Sequence, residues 1–302
     1  MKLQYVLLDV FTDTPLAGNP LAVVLGADKL TDSEMQKIAA EFNLSETVFI
    51  QRPKAERHTA TLRIFTPRVE LPFAGHPTVG ASVVLGLQQR ISAVRLEETV
   101  GLITSVVEKK SRTVGHARFS LPRLPAIVGS APEIAVIAPT LGLDFEDIGT
   151  DRFKPALCSA GVPFYLVPVK DADALARIRL ERRGWDQVYP EGNHSVYVFT
   201  PTPEDSAAAF AARMFSPGMG IPEDPATGAA AAALLALLAP YYADGAHEIR
   251  LRQGREMGRP SHITLQLRKQ DGVFTHGGIG GDAVIIGEGS LELPDQEANG
   301  RP

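Results

Sequence analysis

Residues Phe215–Leu238, FSPGMGIPEDPATGAAAAALLALL, decide how the rest of the chain is read. A turn rich in Pro, Gly and acid runs directly into eleven consecutive apolar residues, Ala229 to Ala239. The run consists of Ala and Leu, which are strong helix formers, so a helix is expected. Asp224 is a good N-cap, Pro225 suits the first helical position, and Pro240 ends the run. A helix that is apolar all round must be buried on every side. It is too short to span a bilayer, which takes about 20 apolar residues. Its N-terminus opens beside Asp224, Thr227 and Gly228, a natural place to hold an anion.

The same pattern occurs earlier, at Phe65–Ser82, FTPRVELPFAGHPTVGAS. Both stretches carry Phe-(Thr/Ser)-Pro, a second Pro five residues on, and then a polar residue, Pro, two residues, Gly and Ala. Phe65 matches Phe215 at an offset of 150, and Pro77 matches Pro225 at an offset of 148. Two more pairs follow in the same order. Ala17–Val24 resembles Ala160–Val167 at an offset of 143, and Asn43–Ile50 resembles Asn193–Thr200 at an offset of 150. Gly-x-Pro and Phe-x-Pro are common loop signals, so any one pair would mean little. Three pairs in one order, at nearly one offset, predict two halves of one fold.

The repeat also exposes what differs between its copies. Glu46 is matched by Val196, and His76 by Asp224. Packing does not demand a charge at a position where the other copy is apolar, so Glu46 is the first catalytic candidate.

At 302 residues and 44% apolar content the chain suits two domains with full cores. A net charge of −5 and a pI of about 5.8, with no basic tract, argue against nucleic acid as a partner. The opening MKLQYVLLDVF reads as a strand and lacks the pattern of a signal peptide. Cys158 is the single cysteine, which rules out an internal disulfide and suggests a cytoplasmic home.

In chain order, Tyr5–Val10 and Leu21–Leu25 read as strands around a turn-rich loop containing Asn19. Thr31–Phe42 reads as an amphipathic helix and Glu46–Gln51 as a strand, with Glu46 at its start. Pro77–Gln88 reads as the first core helix, followed by strands Ala93–Glu98, Leu102–Glu108 and Thr113–Ser120. The proline-rich Pro122–Pro132 is the best internal boundary. The order then repeats, and Ala207–Phe215 leads as a strand into the central helix. Strands Glu248–Gln253, Ser261–Arg268 and Ala283–Leu293 follow, then a polar tail.

Glu46 stands before the apolar Val48-Phe49-Ile50. A carboxylate desolvated there would exchange protons near neutrality; otherwise it is a solvated charge at a strand start. His76 is placed at a helix N-terminus, which favours the neutral imidazole, and a capping or packing role is the alternative. Asp224 is an N-cap or an acceptor that orients a substrate amine or hydroxyl. Gly75, Thr227, Gly228 and Ala229 would offer backbone N–H groups to a carboxylate. Asn19 closes the site or simply shapes a turn. Several chemistries fail on spacing. His247-Glu248 lacks the second His of a zinc helix, and no Ser nucleophile elbow occurs. Gly277–Gly281 precedes a strand and reads as hairpin turns, not a dinucleotide loop.

These residues resemble the PhzF family of phenazine-biosynthesis-like isomerases. The resemblance runs over VFTDTPLAGNPLAVV (Val10–Val24), FNLSETVFI (Phe42–Ile50), LRIFTPRVELPFAGHPTVGAS (Leu62–Ser82), SAGVPFYLV (Ser159–Val167), ARMFSPGMGIPEDPATGAA (Ala212–Ala230) and RQGREMGRPSHI (Arg252–Ile263). It implies an α+β fold of the diaminopimelate-epimerase-like type. Two pseudosymmetric halves would each curl a mostly antiparallel sheet around a central helix, with the site between them. The halves would be 1–122, with a returning strand near 283–293, and 123–282, leaving 294–302 as a flexible tail. By the same resemblance the glutamate matching Glu46 is the acid/base, while Gly75, His76, Asp224 and Gly228 line the substrate. The phenazine isomerase carries Ser where Ala229 stands here, which weakens the expectation for its substrate. The epimerase cousins use two cysteines, and this chain has one.

The expected activity is therefore a cofactor-independent isomerisation of a small carboxylate, by a cytoplasmic homodimer without nucleic-acid or membrane partners. An amino- or hydroxy-acid epimerase and a non-catalytic metabolite-binding protein are the alternatives. The purified protein is expected to carry no stoichiometric metal in elemental analysis and no flavin, pyridoxal phosphate or nicotinamide absorbance. Either finding at one equivalent overturns this reading.

Overall fold

Residues 1–189, 195–205 and 207–294 are described by a computed structural model. The chain divides into two units: Met1–Leu16, Pro20–Ala117 and the chain from Asp282 onward form the first, and Ala17–Asn19 with Arg118–Gly281 the second.

The first unit holds strands β1 (Lys2–Val10), β2 (Asn19–Leu25, from Pro20 on), β3 (Glu46–Gln51), β4 (Ala60–Phe65), β5 (Glu70–Leu71), β6 (Ala93–Glu98), β7 (Gly101–Lys109) and β8 (Val114–Ser120, as far as Ala117). The helices are α1 (Asp32–Phe42) and α2 (Gly75–Gln89). β2 lies parallel to β3, with Leu21 opposite Glu46. β4 runs antiparallel to β3 and β5 and parallel to β6, which pairs antiparallel with β7. α1 starts in a capping box between Thr31 and Glu34 and ends at Asn43, which is left-handed at φ 51°. Its buried Met35, Ile38 and Ala39 pack with Val24, Phe49 and Phe65. α2 packs against β1, β3, β6 and β7, and every residue from Gly75 to Gly86 is buried. A helix without a solvent face is stable only when a sheet wraps it, and that is its position here.

The second unit holds strands β9 (Ala126–Ser130), β10 (Ala156–Ser159), β11 (Pro163–Pro168), β12 (Val196–Pro201), β13 (Phe210–Ser216), β14 (Ile221–Asp224), β15 (Gly245–Gln253) and β16 (Ser261–Gln270). Its helices are α3 (Ile134–Leu141), α4 (Ala172–Arg177), α5 (Trp185–Val188) and α6 (Gly228–Leu238). The connectivity repeats that of the first unit. β11 is parallel to β12, β12 antiparallel to β13, β13 antiparallel to β14 and parallel to β15, and β15 antiparallel to β16. β12 opens at Val196, the residue that the sequence repeat matches to Glu46 of β3. α6 packs against β9, β10, β11 and β16, and Ala230–Leu235 are essentially inaccessible. β17 (Val273–Glu292) is one continuous strand, antiparallel to β16 through Gly280 and to β1 from Ala283 onward.

Several expectations change. Asp224 is not the N-cap of α6, and Pro225 is not its first residue: β14 ends on Asp224, opposite Met214, and the helix begins at Gly228 with Thr227 in the N-cap position. Glu223 accepts two bonds from Arg213 of β13, at 2.8 and 2.9 Å, which holds this stretch extended. The proline-rich segment Pro122–Pro132 contains strand β9, and the units part at Ala117/Arg118 instead. Gly277–Gly281 lies within β17, not in hairpin turns; a Cβ on Gly278 would sit 3.1 Å from the backbone Phe119 O and 2.7 Å from the end of the Gln266 side chain, a tight fit that favours glycine. The tail from Asp295 on, and the Asn193-His194 part of the repeat, lie outside the described residues. Among the described residues no helix is long and apolar enough to cross a membrane.

Gly80 marks how closely α2 is enclosed. A Cβ there would stand 2.5 Å from Leu21 Cδ2 and 2.9 Å from Val10 Cγ2. Overpacking typically costs about 1–3 kcal/mol, against about 1 kcal/mol of helix propensity gained. Gly80→Ala is therefore expected to lower the denaturant midpoint, and Gly80→Val to lower it further; an unchanged midpoint in both would contradict this packing.

Candidate active site

In the first unit the turn at Asn43 ends α1 and brings the chain to Glu46 at the mouth of β3. His76 is the second residue of α2, where Pro77 is tolerated because first-turn amides have no partner inside the helix. These two elements bring the side chains together: His76 Nδ1 lies 3.5 Å from Glu46 Oε2, with the side chains 4% and 14% exposed. Burial pushes the imidazole down to about 3. The neighbouring carboxylate pulls the other way, but at 3.5 Å it does not outweigh loss of water from so buried a ring. His76 is thus neutral at ordinary pH and able to donate from one nitrogen and accept at the other. Gly75 opens the same helix.

Beneath that turn lies Glu98, which the sequence reading passed over. Thr78 Oγ1 donates to Ala74 O at 2.8 Å and stands 2.8 Å from Glu98 Oε1. A hydroxyl has one proton, so Thr78 donates either to Ala74 O or to Glu98 Oε1; when it donates to Ala74, a protonated Glu98 donates to Thr78. Burial pushes the Glu98 carboxyl up to about 8, consistent with a protonated acid. Its signal was present: β6 alternates Val94, Leu96 and Glu98 inward, so of the adjacent Glu97 and Glu98 one had to face the core.

In the second unit Asn19, fully buried, donates from Nδ2 to Asp224 Oδ1 at 3.0 Å and to Ala226 O at 2.9 Å. Thr227 Oγ1 donates to Asp224 Oδ2 at 2.5 Å. The structure therefore joins Asn19, Asp224 and Thr227, with Gly228 and Ala229 opening α6 beside them. The Thr227 N–H, expected to face a substrate carboxylate, instead donates to Gln253 Oε1 at 3.0 Å, so Thr227 is committed internally. Cys158 is buried on β10 with its thiol pushed up to about 12, which makes it no thiolate base. Among the described residues no group of three or more His, Cys, Asp or Glu side chains could hold a metal ion.

Residues 8–289 match the PhzC-PhzF family, described as phenazine biosynthesis-like protein. An uncharacterised isomerase of Mesorhizobium japonicum is 41% identical over 297 residues, covering 95% of this chain and 98% of that protein. The trans-2,3-dihydro-3-hydroxyanthranilate isomerase of Pseudomonas fluorescens is 32% identical over 291 residues, covering 96% and 99%. The crystal structure of a PhzF-family phenazine biosynthesis protein from Bacillus anthracis aligns with a TM-score of 0.86 at 26% identity, covering 97% of this chain and 100% of that one. The diaminopimelate-epimerase-like fold expected above is the fold of this chain.

The two buried titratable groups of the first unit give opposite pH dependences. Glu98 is raised from 4.5 to about 8, so between those values the folded state holds the extra proton and stability falls as pH rises. His76 is lowered from 6.5 to about 3, so in that window the unfolded state holds the extra proton and stability falls as pH drops. Glu98→Gln keeps a donor to Thr78 and removes the first dependence. Denaturant melts are expected to show the variant gaining on the wild type by up to a few kcal/mol as pH rises to 8. A constant difference across that window would show that Glu98 is ionised throughout.

Proposed function

We propose that this chain, which belongs to the PhzC-PhzF family of phenazine biosynthesis-like proteins and is an isomerase, moves a proton between carbons of a small carboxylate-bearing substrate, with Glu46 as the group that takes and returns it. The observation that carries this reading is the Glu46 carboxylate held 3.5 Å from a buried, neutral His76 at the first turn of α2. The carboxylate accepts a proton from a carbon whose electron pair can delocalise into an adjacent unsaturated system. The pair shifts along that system, and Glu46 returns the proton to a second carbon. Atoms and electrons balance within the substrate, so the step consumes no co-reactant. Neutral His76 supports it by a hydrogen bond that orients the carboxylate or meets developing charge on the substrate.

Asn19 and Asp224 serve as the polar grip on a substrate amine or hydroxyl. Both Asp224 oxygens already accept donors, which suits an acceptor that holds a group in place. The first-turn amides of α2 and α6, Gly75 and Gly228 among them, favour a substrate carboxylate. The compound named for the Pseudomonas fluorescens relative is the first to try. Ala229 offers no hydroxyl where the phenazine isomerase has Ser, so turnover of that compound is expected to be weaker than that of a related small acid. The buried, high-pKa Cys158 disfavours a two-thiol epimerase.

Glu46→Gln keeps the shape and removes the base, and loss of a general acid/base typically costs about 10²–10⁴-fold. Deuterium incorporation from heavy water, followed by mass spectrometry over a panel of small unsaturated acids, is expected to fall by that factor with binding retained. Wild-type exchange in a well-folded Glu46→Gln protein would sink the assignment and shift it to His76.

A further inference from the structure

The segment RQGREMGRP, Arg252–Pro260, is prominent in the sequence, yet none of its residues has a role in the chemistry above. In the structure it backs the Asn19–Asp224 pair on two sides. Gln253 closes β15 and is 1% exposed. Its Oε1 accepts from Thr227 N at 3.0 Å, and its Nε2 donates to Asp224 O at 2.8 Å and to Thr227 Oγ1 at 3.1 Å. An amide meets an N–H with one end and a carbonyl with the other; an ionised carboxylate would set oxygen against oxygen at Asp224. Because Thr227 Oγ1 receives a proton from Gln253, its own proton is available for Asp224 Oδ2.

Arg259 works on the other partner. Its Nε donates to Gly18 O at 2.8 Å and its Nη2 to Ala17 O at 2.7 Å, while Gly18 N donates to Pro260 O at 3.1 Å. These bonds fix the residues immediately before Asn19. Gly254, at φ 77°, lets the segment approach: a Cβ there would lie 2.5 Å from Pro225 O and 2.4 Å from Arg259 O.

We propose that Gln253 and Arg259 are positioning residues that set the Asn19–Asp224 pair in its substrate-holding geometry, Gln253 through Thr227 and Arg259 through Ala17–Gly18. The inference rests on the reading that this pair grips the substrate. Neither residue touches the proton that moves, so their loss acts on substrate capture, whereas loss of Glu46 acts on turnover.

The test compares Gln253→Ala, Gln253→Glu, Arg259→Ala and Arg259→Lys with the wild type in two measurements. NMR hydrogen exchange of the Thr227 backbone N–H and the Asn19 side-chain amide reads the geometry whatever the substrate is. Steady-state kinetics are measured on trans-2,3-dihydro-3-hydroxyanthranilate, or on the small acid that exchanges best in heavy water. Expected are loss of protection by about tenfold or more and a rise in KM of about 10–100-fold with little change in kcat, since bonds to charged or buried groups carry that much. Gln253→Glu is expected to match Gln253→Ala, and Arg259→Lys to recover part of the Arg259→Ala loss, because one ammonium replaces only part of the fork. Should an alanine variant fail to fold, the Glu and Lys variants carry the same comparison. Folded variants with wild-type protection overturn the proposal, as does lost protection with an unchanged KM. A wild type that exchanges no acid on the panel refutes the isomerisation reading alone, and the exchange measurement then decides the positioning.

Discussion

A helix with no polar face constrains this molecule more than any other feature. Ala229–Ala239 cannot face water on any side, and a single flat sheet covers only one. A sheet curled around the helix covers most of it: α6 meets β9, β10, β11 and β16, and only Ala229, Ala236 and Leu237 stay half-buried. Small side chains set the spacing. With alanine at four successive positions from Ala230 to Ala233, strands approach closely, and Gly80 serves the same end on α2. The first unit repeats the solution with the same order of parallel and antiparallel pairings, because it faces the same constraint.

An enclosed helix can present chemistry only at its ends. Its flanks are buried against apolar side chains, while its first turn carries amides that the helix cannot satisfy. The polar residues of both units gather there: His76 and Thr78 in the first turn of α2, and Asp224 and Thr227 just before α6. Once buried, each polar group needs a partner or must be neutral. His76 and Glu98 are held neutral by burial, and Asp224 is surrounded by donors from Asn19 and Thr227.

Much of this was legible in the sequence, for physical reasons that also mark the limit. The core helices declare themselves through composition, and the duplication through ordered pairs at nearly one offset. Glu46 and His76 stood out because the other copy has different residues at those places. Asp224 misled: its short polar side chain before Pro225 is an N-cap signal, but tertiary bonds from Arg213 and Gln253 keep the stretch extended until Gly228. Local pattern cannot see such partners, since Gln253 lies 29 residues from the carbonyl it holds and Arg259 241 residues from Gly18. Glu98 was different. Strand alternation alone places it inward, and only its neighbour Glu97 disguised it.

The two polar clusters differ in their partners. At Asp224 both carboxylate oxygens accept, from Asn19 and from Thr227, so taking up a proton there would forfeit a bond already made. Beside Glu46 stands an imidazole kept neutral by burial, 3.5 Å away. The copies thus differ in chemistry as well as in sequence: β3 opens on a glutamate beside an imidazole, and β12 opens on Val196.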